Sequence, residues 1–117
     1  MKRNDDLIRE LLLKYEESDD WLLMMPGDTM SASKEARQEG YHVLLLSDEG
    51  FVAGVGKGTF RLTAQGHDYL NAIRSETVWN KTKEGAEKVG GVTLGIMKDI
   101  AVAYLKQEAS QKLGINL

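Results

Sequence analysis

Two linked pieces of sequence decide the fold: Tyr41-His42-Val43-Leu44-Leu45-Leu46-Ser47-Asp48-Glu49-Gly50-Phe51-Val52 and, a few residues on, Arg61-Leu62-Thr63-x-x-Gly66-x-x-x-Leu70. The first reads as the end of a helix, with Gly50 suited to a left-handed cap and Phe51-Val52 opening a strand. Between the pieces, Ala53-Gly54-Val55-Gly56-Lys57-Gly58-Thr59-Phe60 sets β-prone residues on either side of a glycine-rich centre, which predicts a hairpin with a flexible tip. Leu62 closes its second strand and Thr63 caps the helix that follows.

Upstream, Asn4 followed by Asp5 and Asp6 starts a helix, because Asn satisfies free amides and the carboxylates favour the positive end of the helix dipole. Leu7, Ile8, Leu11, Leu12 and Tyr15 recur at helical spacing and predict a helix over residues 5–17. Trp21-Leu22-Leu23-Met24-Met25 is a short apolar run stopped by Pro26-Gly27, consistent with a short strand. Ser31 or Ser33 caps a second helix that continues through Tyr41 and Leu46 to Gly50, with Gly40 marking a bend or a close contact. Downstream, Thr63 is expected to start one long helix reaching about Lys88, with Leu70, Ile73 and Thr77 on one face. Val89-Gly90-Gly91 ends it. Thr93 starts a last helix, closing near Gly114, in which Leu94, Met97, Ile100, Ala101, Tyr104 and Leu105 make a wide apolar stripe.

This order predicts an α+β, mostly α, fold: a winged helix-turn-helix with a small β-hairpin wing and additional C-terminal helices. Residues 1–88 are the expected winged-helix part, residues 89–117 an oligomerisation element, within a single compact domain. In such a fold the helix before the hairpin is the one offered to the major groove of DNA.

The chain has 117 residues, the length of one domain, with 42% hydrophobic and 28% charged residues, which suits a folded chain. No apolar run approaches the roughly 20 residues that span a bilayer, and the first residues turn acidic where a signal peptide turns apolar, so a cytoplasmic protein without membrane association is expected. There is no cysteine, which excludes disulfides and thiolate metal sites. The glycine cluster fails as a phosphate loop, since Phe51 stands at the leading glycine position and Gly58 follows Lys57. It fails as a dinucleotide fingerprint because Thr59 stands where the third glycine belongs. His42 and His67 have no partners for a metal set, no nucleophile motif accompanies them, and Glu16, Glu17, Asp19 and Asp20 lack calcium-loop spacing. The expectation is a non-enzyme with no cofactor and no metal.

The match to a known family is closer than a fold class. The sequence resembles the bacterial and prophage-associated family called domain of unknown function 2513. The likeness lies in Met1-Lys2-Arg3, Asp6 to Leu13, Tyr41-His42 with the following leucines and Gly50. It continues in Arg61-Leu62-Thr63-x-x-Gly66-His67-Asp68-Tyr69-Leu70-x-Ala72-Ile73-Arg74 and Thr77-Val78-Trp79-Asn80-Lys81-Thr82-Lys83. The resemblance implies a winged-helix-like protein of mobile elements and assigns no activity to particular residues. It also implies a polar or basic residue at the position of Leu44, whereas Leu44-Leu45-Leu46 is continuous here. Three successive helical residues span about 200° of arc, so at least one of these leucines is expected to be exposed or covered by a partner.

Two surfaces follow. For double-stranded DNA the candidates are Lys34, Arg37, Gln38 and Tyr41 on the second helix, Lys57 at the wing tip and Arg61 at its base; Arg pairs with guanine edges, Gln with adenine, and a wing lysine sits over phosphate. Against this stand the net charge of −3 and the neighbouring Glu35, Glu39, Asp48 and Glu49. For a second copy, the stripe Leu94, Met97, Ile100, Ala101, Tyr104 and Leu105 is expected to hold a symmetric homodimer. Lys98, Asp99, Lys106 and Glu108 give that helix a mixed polar face unlike a membrane-surface helix. The first reading is thus a dimeric DNA-binding or transcription-regulatory factor of phage or prophage type. The rival, favoured by the acidity and the leucine run, is a winged helix that binds or inhibits a host or defence protein.

Overall fold

A computed structural model describes residues 1–117 as an α+β structure that is mostly helical. The elements are α1 (Asp5–Glu17), β1 (Leu23–Met24), α2 (Lys34–Asp48), β2 (Val52–Gly54), β3 (Thr59–Leu62), α3 (Ala64–Ile73), α4 (Glu76–Lys88) and α5 (Leu94–Leu113). No helix is long and apolar enough to cross a membrane. The chain divides into two compact units, Met1–His67 and Asp68–Leu117, with the division inside α3.

In the first unit, α1 begins where the Asn4 side chain accepts from the Leu7 amide, and α2 where Ser33, rather than Ser31, accepts from the Ala36 amide. The three strands form one antiparallel sheet in the order β1-β3-β2. In register, Leu23 faces Phe60, and Val52 faces Leu62. The hairpin turns through Gly56-Lys57-Gly58, closed by the Val55 amide donating to the Thr59 carbonyl and by the Thr59 hydroxyl donating to the Val55 carbonyl. The core gathers Ile8, Leu11, Leu12 and Tyr15 of α1, Val43 and Leu46 of α2, and Phe51, Val52 and Phe60 around the sheet. Tyr15 meets Phe60 edge to face at 5.2 Å between ring centroids, an arrangement that the ring quadrupoles favour.

The end of α2 sets the course of the hairpin. Gly50 has φ +74°, the Gly50 amide donates to the Ser47 carbonyl at 3.0 Å, and the Phe51 amide reaches the Leu46 carbonyl at 2.8 Å. This is a Schellman cap, with apolar Phe51 following it into the core. Thr63 then fastens the far end of the hairpin. Its amide donates to the Phe51 carbonyl, its hydroxyl donates to the Gly50 carbonyl, and its side-chain oxygen accepts from the Gly66 amide as the cap of α3. Gly66 is required at this point because a Cβ there would lie 2.1 Å from the Phe51 carbonyl oxygen.

Two expectations need correction. The single helix from Thr63 to about Lys88 is two helices: Ser75 is extended (φ −76°, ψ 140°), and its hydroxyl accepts from the Val78 amide, so α4 starts afresh. The restart exposes Thr77, which was expected to share the face of Leu70 and Ile73, and buries Val78 and Trp79 instead. Likewise, no helix lies between β1 and α2, so the helix-turn-helix pair is missing. Its place is taken by the Pro26-Gly27 segment, which runs directly against α2: a Cβ on Gly40 would lie 2.4 Å from the Pro26 carbonyl oxygen, and one on Gly27 would lie 2.2 Å from that of Ala36.

In the second unit, α4 and α5 pack against each other, with Ile100 and Tyr104 coming close to Gly85. The α4 end repeats the glycine cap, the Gly91 amide donating to the Ala86 carbonyl at 2.9 Å. Thr82 is buried and its hydroxyl donates to the Val78 carbonyl one turn back, so a polar side chain is accommodated in the helix packing.

Gly66→Ala is therefore expected to lower the unfolding free energy by about 1–3 kcal/mol, the usual range for forcing an atom into a packed site. Gly54→Ala, where nothing lies within 4 Å of the added carbon, serves as the control and should be nearly neutral. Urea unfolding of the two variants makes the comparison.

Candidate functional site

The outer face of α2 carries the most unusual surface of the first unit. Lys34, Arg37, Tyr41, Leu44 and Asp48 follow at helical spacing and are all exposed. Leu44 is 53% exposed, so the leucine run does leave one member outside while Leu46 is fully buried. Two clefts of about 360 and 240 Å³ flank this line and share Met25 and Leu44 as walls. The larger extends to Met1, Pro26 and Tyr41, and the only charged side chains that line either are Arg37 and Asp28. The surface beside α2 is thus a channel of two adjoining clefts, the smaller without a charged side chain and the larger with Arg37 and Asp28 in its wall.

The inner face of α2 is held by polar contacts as well as by packing. His42 is completely buried. Its Nε2 accepts from the Asn4 amide at 2.9 Å, so the ring proton lies on Nδ1, which donates to the Gln38 carbonyl at 2.8 Å. His42 therefore ties the start of α1 to α2 and has no free nitrogen for chemistry. Glu39 accepts from the Tyr15 hydroxyl at 2.7 Å and from Lys14 at 3.1 Å. Burial, the hydrogen bond to Glu39 and the charge of that carboxylate all push the Tyr15 phenol well above its ordinary pKa. It stays neutral and serves as a donor.

The six residues expected to grip DNA do not form one surface. Lys34, Arg37 and Tyr41 share the exposed line on α2, whereas Gln38 is half-buried beside it. Lys57 stands at the hairpin tip. Arg61 lines a different depression, of about 480 Å³, together with Glu16, Asp19, Asp20, Trp21 and His67. His67 approaches Glu16 at 3.6 Å, and the Arg61 guanidinium folds back on the Leu62 carbonyl. Alternation along β3 explains the separation, because Phe60 turns into the core and Arg61 out of it. Eight lysines and arginines against twelve aspartates and glutamates leave residues 1–67 at −4, while seven against six leave residues 68–117 at +1. The unit that carries the hairpin is the acidic one, a distribution that whole-chain charge conceals.

The stripe expected to join two protomers is largely covered within the chain. Leu94, Met97 and Ala101 are 5%, 1% and 0% exposed, which withdraws them from any second copy. Ile100, Tyr104 and Leu105 are half-buried. The covering element is α4, which packs along α5, whereas Ile96 and Ala103, which continue the apolar residues round the helix, are exposed. Candidate residues that sequence reasoning passed over are Met1 and Met25, which no periodicity places beside Leu44.

The family model described as "Hypothetical protein (DUF2513)" matches residues 2–93, so the match runs from the start of the chain to the cap of α5. A protein of Haemophilus influenzae named "Uncharacterized protein" is 31% identical over 116 residues, covering 92% of this chain and 98% of the relative. No solved structure matches the chain.

Met97→Ala is expected to lower stability by about 2–5 kcal/mol, as for other large apolar side chains removed from a core. The loss should be the same at low and high protein concentration, because Met97 is buried within one chain; a loss that grows on dilution would return it to a subunit interface.

Proposed function

The chain belongs to the DUF2513 family, and we propose that its first 67 residues form a winged-helix-type module, acting in the cytoplasm, that binds a protein partner through the outer face of α2. The carrying observation is Leu44, exposed on the helix that precedes the hairpin where two largely uncharged clefts adjoin. The order α1, β1, α2, β2, β3 and the sheet order β1-β3-β2 support the winged-helix part of this reading, with α2 in the place of the helix offered to a ligand.

Three features favour protein over DNA as that ligand. A DNA reader gains most of its affinity by neutralising phosphates, and this unit carries a charge of −4. A helix-turn-helix reader also lays its first helix across the phosphate backbone, and here that helix is replaced by the Pro26-Gly27 segment. Finally, Arg61 lines a depression with three carboxylates rather than extending the line of Lys34 and Arg37. A protein interface, by contrast, favours aromatic, methionine and aliphatic side chains with few charges at its centre, which describes Met1, Met25, Tyr41 and Leu44.

The test has two arms. A photo-crosslinking residue at position 41 in cells is expected to give a discrete protein adduct that Leu44→Glu abolishes while the fold, judged by thermal unfolding, is retained. Random duplex DNA titrated across a salt series is expected to show no tight complex at low salt. Steeply salt-dependent binding that disappears when Lys34, Arg37 and Lys57 are all changed to Ala would overturn the reading in favour of DNA.

A further inference from the structure

The channel beside α2 is asymmetric in charge, and the asymmetry specifies its occupant. Along the exposed line of the helix the order is Lys34, Arg37, Tyr41, Leu44, Asp48: cationic, then apolar, then acidic. Arg3 is paired with Asp5 and Lys14 with Glu39, whereas Lys34 and Arg37 make no ion pair. Both stand in the first turns of α2, where helix amides add to the positive potential. Asp28 lines the same end and Glu35 stands in the same turn, so the charges there are mixed, with Arg37 the one cationic side chain that lines the cleft and has no acidic partner. The middle of the channel, from Tyr41 past Leu44 to Val43 and Phe60, has no charged side chain.

We propose that this channel receives a peptide segment of the partner in which a short apolar run is flanked on one side by a carboxylate, the carboxylate meeting Arg37 and Lys34 and the apolar side chains covering Leu44 and Met25. The inference rests on the reading that α2 binds protein, and it adds the chemistry and the direction of what is bound. An apolar peptide without the acid leaves Arg37 desolvated and unpaired at the edge of the contact, and a basic one meets like charge; both are disfavoured. The guanidinium adds geometry to charge, since it holds a carboxylate through two parallel hydrogen bonds.

The probe is a displayed library of random twelve-residue peptides selected against the whole protein, followed by synthetic peptides of the enriched sequences. The expected result is a consensus of apolar residues with Asp or Glu on one flank. Changing that acid to Lys should weaken binding on the order of tenfold or more. The double variant Lys34→Glu with Arg37→Glu should prefer the Lys peptide, and Arg37→Gln should lose the preference while binding both. Both positions are exposed, and unchanged thermal unfolding verifies that the variants fold. Peptides enriched without an acidic flank, enriched for basic residues, or bound equally by the charge-reversed variant overturn the inference while leaving the protein-binding reading intact, provided Leu44→Glu abolishes their binding. Failure to enrich any peptide that depends on Leu44 overturns both.

Discussion

The backbone of Gly50 and Phe51 is the point through which the first unit is assembled. The Phe51 amide closes the end of α2, its carbonyl accepts the Thr63 amide, and its side chain enters the core. The Gly50 carbonyl accepts the Thr63 hydroxyl, and Thr63 in turn starts α3 through Gly66. Helix end, hairpin base and next helix start therefore share one knot of hydrogen bonds in which each buried polar group has a partner, as burial requires. The hairpin cannot slide along α2 without breaking it. The motif Gly50-Phe51, then Arg61-Leu62-Thr63-x-x-Gly66, is the sequence trace of that knot: a left-handed residue, a strand start, a cap and a glycine with no room for a side chain.

Such local rules explain what was legible in the sequence. Asn4, Ser33 and Thr93 each cap a helix through their own side-chain oxygen, and Gly114 takes the left-handed conformation at the end of α5. The arc spanned by three successive residues was enough to require an exposed leucine, though not to say that it would be Leu44. What was not legible depends on competition between local signals. Ser75 is as good a cap as Ser33, but Thr77 continues the spacing of Leu70 and Ile73, so helical periodicity runs unbroken across the restart.

The candidate site was legible in the same uneven way. Lys34, Arg37 and Tyr41 were readable as one helical face because spacing along a helix is fixed. Closeness to the hairpin in sequence groups Arg61 with them, but strand alternation sends it to a depression shared with Glu16, Asp19 and Asp20. The apolar residues of α5 illustrate the converse. A stripe seen in sequence says that a face is buried and not by what, so Leu94, Met97 and Ala101 read equally well as interface or core until burial is known.

The inner face of α2 bears on what its outer face can do. At successive positions that face is fixed: Ala36 by Gly27, Gln38 and His42 by the bridge to Asn4, Glu39 by Lys14 and Tyr15, Gly40 by Pro26, and Leu46 by the core. These constraints alternate with the outward positions 34, 37, 41 and 44, so they hold the backbone of the exposed line without covering it. A surface held in this way loses little conformational entropy when it is covered, and more of the contact energy is retained as affinity. Leu44 is half exposed, so the isolated chain forgoes about half the burial of one large side chain, on the order of 1 kcal/mol of hydrophobic stabilisation. Placing that residue on a braced helix, between apolar walls and beside an unpaired arginine, makes its burial available to a partner.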